Sequence, residues 1–260
     1  MNRSSSELKS LAKKRLSGRY GGPVGAYAII FVITFIINSI LNLIYNEESA
    51  ASVITYYSAT IIVSLLESVL TAGLTHYFLN FARGRASEVK DLTYGFKNHP
   101  DRFIVATLII MFGSAIFLIP AAILTVFMSY SNTILLLIIP VVLLYVAGIV
   151  FSLRFTLGCS QAFYILNDDS EAGALEAIRK SREMMVGHKG RLFFLILSFF
   201  GWSLLGICSC GIGFLWITPY MSITQCFFYM DLTGELDMKQ PEAPAAEADI
   251  DYGKYNDLNM

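Results

Sequence analysis

Five apolar blocks govern what this chain can fold into: Val24–Tyr45, Val53–Phe81, Phe103–Met128, Ile134–Leu166 and Leu192–Met230. A helix needs roughly 20 apolar residues to cross the hydrocarbon core of a bilayer, so each of the first three blocks suits one crossing. The fourth is longer than one crossing needs. The fifth, at a rise of about 1.5 Å per residue, accommodates two short spans joined by a tight turn at "CSCGIG". The expected fold is therefore all-α, a polytopic membrane protein with six transmembrane helices. A soluble bundle that buries one helix explains one such block, not five. Charged residues make up 15% of the chain, against about 25% in a soluble domain.

The first block reads as a retained span and not a cleaved signal peptide. It follows a long basic leader, and its length exceeds the roughly 7–15 residues of a signal core. The net charge of -1 hides a strong asymmetry. Six crossings put the N-terminus, residues 82–102, residues 167–191 and the C-terminal tail on one side. That side holds every Lys and Arg except Arg154. Cationic loops stay cytoplasmic, so both termini are expected in the cytoplasm. The basic residues flank apolar spans instead of forming one patch, which argues against nucleic-acid binding.

The spans are written as a repeated unit. "SSSELKSLAKKRLSGRYGG", "ASEVKDLTYGFKNHPDR" and "GALEAIRKSREMMVGHKGR" each precede an outward span. Each places apolar residues on one helical face: Leu8, Leu11 and Leu16; Val89, Leu92 and Phe96; Leu175, Ile178 and Met185. Ser4 and Glu7 have capping-box spacing. Arg19, Arg102 and Arg191 stand where the chain enters the membrane. Three return spans then end in Thr75-His76-Tyr77-Phe78, Ser160-Gln161-Ala162-Phe163 and Thr224-Gln225-Cys226-Phe227. The organisation expected is a basic amphipathic leader at 1–22, a membrane domain at 23–232 with repeats near 7–81, 87–166 and 174–231, and an acidic disordered tail at 233–260. The amphipathic segments either lie in the cytoplasmic interface, where membrane lipids favour them, or pack on one another as a cytoplasmic collar.

Polar residues within the spans are the candidate site. Thr75, His76, Ser160, Gln161, Thr224 and Gln225 either bond helix to helix, at about 0.6–2 kcal/mol per bond, or line an inward-facing vestibule. Glu67 sits near the middle of its span, where a bare carboxylate costs several kcal/mol; it must be protonated, paired or facing water. Arg154 is one partner, although it lies deeper toward the cytoplasm and can snorkel there unaided. Pro120, Pro140 and Pro219 share the outer third of their spans and bend helices or let them splay. Cys159 and Cys226 read as packed thiols, and Cys208 and Cys210 as small turn residues.

No metal-binding His-Glu-x-x-His, phosphate-binding glycine loop or Gly-x-Ser-x-Gly elbow is present. An enzyme is not expected, and no cofactor or metal ligand is assigned.

The last third, "KSREMMVGHKGRLFFLILSFFGWSLLGICSCGIGFLWITPYMSITQCFFYMDL", resembles the bacterial integral membrane proteins grouped as domain of unknown function 975. The resemblance rests on Met184, Met185, Gly187, Lys189, Gly201, Trp202, Gly211, Ile212, Gly213, Pro219 and Tyr220, and the leader "ELKSLAKKRLSGRY" fits as well. His188 stands where asparagine is expected, and Cys208–Cys210 where polar residues are commoner. A more distant similarity is to the membrane domain of some glycerophosphodiester phosphodiesterases. The resemblance implies a bacterial plasma membrane and carries over no catalytic residue. Two functions fit: a non-enzymatic accessory or scaffold protein engaging lipid or a protein partner, and a small-solute or lipid transporter using Glu67 and the Thr/Ser–His/Gln positions. A cavity reaching Glu67 favours transport; Glu67 bonded to a neighbouring helix favours the scaffold.

Overall fold

A computed structural model describes residues 3–45, 49–130, 134–209 and 211–238. Among them the chain is helical and has no strand: α1 Ser5–Leu16, α2 Gly21–Ile44, α3 Ala50–Arg83, α4 Tyr94–Lys97, α5 Pro100–Ala115, α6 Ile119–Tyr130, α7 Ile134–Cys159, α8 Ala162–Asp168, α9 Ala174–Met184, α10 Lys189–Leu197, α11 Phe200–Cys208 and α12 Phe214–Leu232. A 3-10 turn, Val89–Thr93, precedes α4. Cys210 and the tail from 239 lie outside the described residues.

Four stretches are long and apolar enough to cross a membrane: Gly21–Leu43, Ala51–Arg83, Leu137–Asp168 and Lys189–Cys208. Counting the bent pair α5–α6 as one span makes five. The sixth expected span, α12, is not one of these. It is 19 residues long and carries Thr218, Ser222, Thr224, Gln225 and Asp231.

Each break in the apolar blocks has a local cause. The 49° bend between α5 and α6 falls just ahead of Pro120, which has no N–H to donate and disfavours a helical residue before it. Pro140 and Pro219, by contrast, sit inside continuous helices, so the bends expected at all three prolines reduce to one clear break. Between α7 and α8 the Ser181 side chain inserts into the ladder: Gln161 N–H donates to Ser181 Oγ (3.0 Å), and that hydroxyl donates to the Gly158 carbonyl (2.7 Å). Between α10 and α11 the Lys9 ammonium donates to the Ser198 carbonyl at 2.9 Å and lies 4.1 Å from the Phe199 ring centroid. Burial lowers the pKa of Lys9. The α11–α12 turn uses Gly211 at φ +88. It also brings Gly213 so near α11 that a Cβ there would stand 3.0 Å from Gly206 Cα.

The core gathers where the return helices end. Leu8 and Leu16 of α1, Phe78 of α3, Leu166 of α8 and Phe228 and Met230 of α12 are all at most 2% exposed. Away from that region α2, α7 and α11 present apolar side chains outward, among them Phe35, Leu143 and Leu205. This suits a hydrocarbon surround, since lipid tails are as apolar as the side chains they meet.

Around the core the amphipathic segments form a collar. α1 packs on α12, the 3-10 turn and α4 pack on α3, and α9 packs on α7 and α8. α1 behaves as its pattern predicts: Leu8 and Leu16 are buried, and the capping box forms, with Ser4 N–H donating to Glu7 Oε2 at 2.6 Å and Glu7 N–H to Ser4 Oγ at 3.3 Å. The second segment is not one helix. Leu92 is buried, while Val89 and Phe96 are 61% and 47% exposed. The reason is backbone contact: a Cβ on Gly73 would lie 2.0 Å from the Leu92 carbonyl oxygen, and one on Gly95 2.3 Å from that of Val69. In the third segment, Ile178 of α9 and Met185 just beyond it are buried but Leu175 is 71% exposed, so the face expected to include Leu175 turns away from it.

Candidate functional site

The residues that end the three return helices converge in a charged clasp. Arg83 closes α3, a helix capped by Gly84 in the left-handed conformation. Its guanidinium donates Nη1 to Asp168 Oδ1 (2.5 Å) and Nη2 to Asp168 Oδ2 (2.7 Å) at the end of α8. Nε and Nη2 of the same group reach Glu235 Oε1 and Oε2, each at 2.8 Å, just beyond α12. The Tyr229 hydroxyl donates to Asp168 Oδ2 at 2.9 Å. One arginine thus ties three chain segments far apart in sequence, in the planar two-bond geometry that guanidinium and carboxylate share.

A second centre adjoins it. The Asp231 side chain is fully buried. It accepts Arg3 Nη1 (3.0 Å), the Arg3 backbone N–H (3.2 Å) and Arg191 Nη2 (2.7 Å). Arg3 also bonds Asp237 Oδ1 and the Leu236 carbonyl. Residues 233–238, expected as the start of a free tail, therefore run as turns held by Arg83 and Arg3. Every carboxylate oxygen of Asp168, Asp231 and Glu235 accepts a hydrogen bond. Four acids, Asp168, Asp231, Glu235 and Asp237, and three arginines pair with one another where a bare ion would be costly. The arrangement fastens helix ends together.

Arg102 makes the corresponding contact for α5. It is buried and donates Nη1 to the carbonyls of Asp169 (3.0 Å) and Ala172 (2.9 Å). Asp169 shapes that loop by accepting the N–H groups of Glu171 and Ala172. Those bonds, with the Lys180 ammonium, hold its carboxyl below the usual carboxylate range against a smaller effect of burial. Arg102 and Arg191, read from sequence as cations at the membrane boundary, are therefore inward-turned fasteners; Arg19 remains exposed.

The positions singled out in the sequence are distributed differently. Glu67 does not pair with Arg154: Asn38 Nδ2 on α2 donates to Glu67 Oε1 at 2.9 Å, and among the described residues Arg154 has no hydrogen-bond partner. Thr75 donates to the Thr71 carbonyl, Ser160 to that of Leu157 and Thr224 to that of Tyr220, each within or beside its own helix. Gln161 Nε2 donates to Ser160 Oγ. His76 Nε2 bonds Asn80 at 2.9 Å and its ring stacks on Tyr94, centroids 3.7 Å apart. Gln225 is half-buried in α12. No hydrogen bond described here joins one of the three pairs to another. Of the clasp residues the sequence marked Arg191 alone, and as a boundary cation; its acids went unmarked, although "YILND" and "FYMDL" advertise acids in the last turn of apolar helices.

No curated protein and no solved structure matches the chain, and the distant resemblance to the glycerophosphodiester phosphodiesterase membrane domain has no match behind it. A family model described as protein of unknown function (DUF975) matches residues 1–235, most of the collar, bundle and clasp, and the chain belongs to that family.

Proposed function

We propose that this protein is a non-enzymatic membrane scaffold that holds lipid or a protein partner against a cytoplasmic collar, in a bacterial plasma membrane with both ends in the cytoplasm. The observation that carries it is the Asn38–Glu67 bond at 2.9 Å. It gives Glu67, the carboxylate deep in the apolar spans among the described residues, a partner on the adjacent helix, which is the helix-to-helix bonding expected of a scaffold.

A threefold repeat supports the same reading. Each amphipathic segment packs on the return helix of the preceding unit, and α1 closes the ring on α12. Equivalent positions on two return helices, Gly73 and Gly158, both meet a collar segment closely: Gly73 faces Leu92 of the second segment, and Gly158 lies 3.6 Å from Arg182 Cγ of the third, measured from the Cβ it lacks.

In place of six full crossings we propose two complete hairpins and a third that enters the inner leaflet and returns. About 18 residues of α3 precede its packed end, which begins at Ser68, whereas α12 has about nine before Ile223. Nine residues reach about 13 Å, less than half the roughly 30 Å of hydrocarbon. Lys13 of α1 also lines one notch with Trp202 and Trp216, a pairing of cation and tryptophans suited to the membrane interface.

Proteoliposomes test the scaffold against the transporter. Wild type and Glu67→Gln are expected to show equally low exchange of small solutes, with lipid retained through mild-detergent purification. Exchange by the wild type that Glu67→Gln abolishes would install the transporter reading instead.

A further inference from the structure

The flank of α7 and the outer face of α9 hold cations that the clasp does not use. Arg154 on α7, Arg182 on α9 and Lys189 at the start of α10 line two adjoining grooves that share Lys189, of about 400 Å³ and 540 Å³. Arg179 lines the second groove as well. Among the described residues none of these four cations forms an ion pair, and Glu183 is the one acid in either lining. Arg182 rests over the Phe155 ring, 5.8 Å from its centroid. A methyl group on Gly158 would stand 3.3 Å from Lys189 Nζ and 3.6 Å from Arg182 Cγ, so both side chains converge over one glycine.

The surroundings are apolar and outward-facing. Val150 and Leu153, just before Arg154, are 49% and 42% exposed, whereas Leu157 is buried. Arg154 therefore stands where α7 passes from its exposed apolar stretch into the packed collar. Leu175 and Val186, on either side of the α9 cations, are each 71% exposed. Unpaired cations beside exposed apolar side chains, at the level where a span meets the collar, match an anionic headgroup with its chain attached.

We propose that this groove seats the phosphate of an anionic phospholipid of the cytoplasmic leaflet. Arg154, Arg182 and Lys189 surround the phosphate, and an acyl chain runs along Val150, Leu153 and Phe193. The assignment rests on the lipid-engaging scaffold reading and names its site. Guanidinium groups suit phosphate oxygens in paired bonds, and each cation near an anionic surface strengthens binding about fivefold.

The test uses the full chain in nanodiscs of mixed phosphatidylglycerol and phosphatidylcholine, with bound lipid counted by native mass spectrometry. The wild type is expected to hold phosphatidylglycerol above its bulk share. Lys189→Gln is expected to lose about fivefold of that preference, and Arg154→Gln/Arg182→Gln/Lys189→Gln to lose it all. Arg154→Lys/Arg182→Lys keeps the charge but not the paired bonds and is expected to keep a reduced preference, still above that of the triple variant, which separates lost binding from lost folding. A wild type without preference, a triple variant that retains it, or displacement of phosphatidylglycerol by millimolar inorganic phosphate would each overturn the seat. Glu67-dependent solute exchange would overturn the scaffold reading alone and leave this result standing.

Discussion

Arg83 and Asp168 face each other across the ends of α3 and α8 in a two-bond pair of 2.5 and 2.7 Å, with the Arg83 side chain only 10% exposed. Their separation of 85 residues makes the pair a tertiary fastening, and Glu235 on the same guanidinium extends it to the end of α12. Removing one partner of such a pair leaves the other charge stranded, at about 3–5 kcal/mol. Arg83→Met is expected to cost that much in unfolding free energy in detergent. Arg83→Met/Asp168→Leu/Glu235→Leu, which removes all three charges, is expected to cost less than Arg83→Met alone.

Close backbone approach gives a second prediction. Gly73→Ala would place a Cβ 2.0 Å from the Leu92 carbonyl oxygen, whereas Gly25→Ala in α2 meets nothing within 4 Å. The first is expected to destabilise by about 1–3 kcal/mol as the 3-10 turn is pushed off α3. The second should change stability by no more than about 1 kcal/mol. Melting temperatures of the two variants, side by side, check the contrast.

The Asn38–Glu67 bond separates shape from charge. Glu67→Gln keeps a side-chain carbonyl for Asn38 Nδ2 and is expected to leave stability unchanged. Glu67→Leu removes the acceptor and should cost about 0.6–2 kcal/mol. Denaturant titration of both variants reads the difference.

The loop that Arg102 engages is expected to weaken in acid. The folded pKa of Asp169 is lowered, chiefly by the N–H of Glu171, so its contribution is present above the unfolded value of about 3.9. It is lost as pH falls through the lower folded value. Melting temperature followed below about pH 4 should therefore fall more steeply for the wild type than for Asp169→Asn, whose side chain does not titrate.

The proposed shallow third hairpin would put Cys208, exposed at the end of α11, out of reach from outside the cell. In a Cys210→Ser background, a membrane-impermeant maleimide applied to intact cells is expected to leave Cys208 unlabelled. Efficient labelling would restore a full crossing for that hairpin.

The residue pattern was sufficient for some of this and not for the rest. Hydrocarbon contact needs only runs of apolar residues, so the helical blocks, the capping box at Ser4 and Glu7 and the membrane class are all readable in the chain, as is the family. The clasp is not, because nothing local distinguishes an arginine that closes α3 from one that faces headgroups; its partners are 85 and 152 residues away. The same limit hid Ser181, whose hydroxyl splits α7 from α8 from a position 20 residues downstream.

Apolar length and periodicity along the chain dictate which segments become helices. Packing decided where those helices stop, which glycines admit a neighbour's backbone, and that Glu67 bonds to Asn38 and not to Arg154. The physical reason is range: burial of apolar surface acts on every residue by itself, whereas a hydrogen bond or ion pair exists only once two distant segments have been brought within about 3 Å.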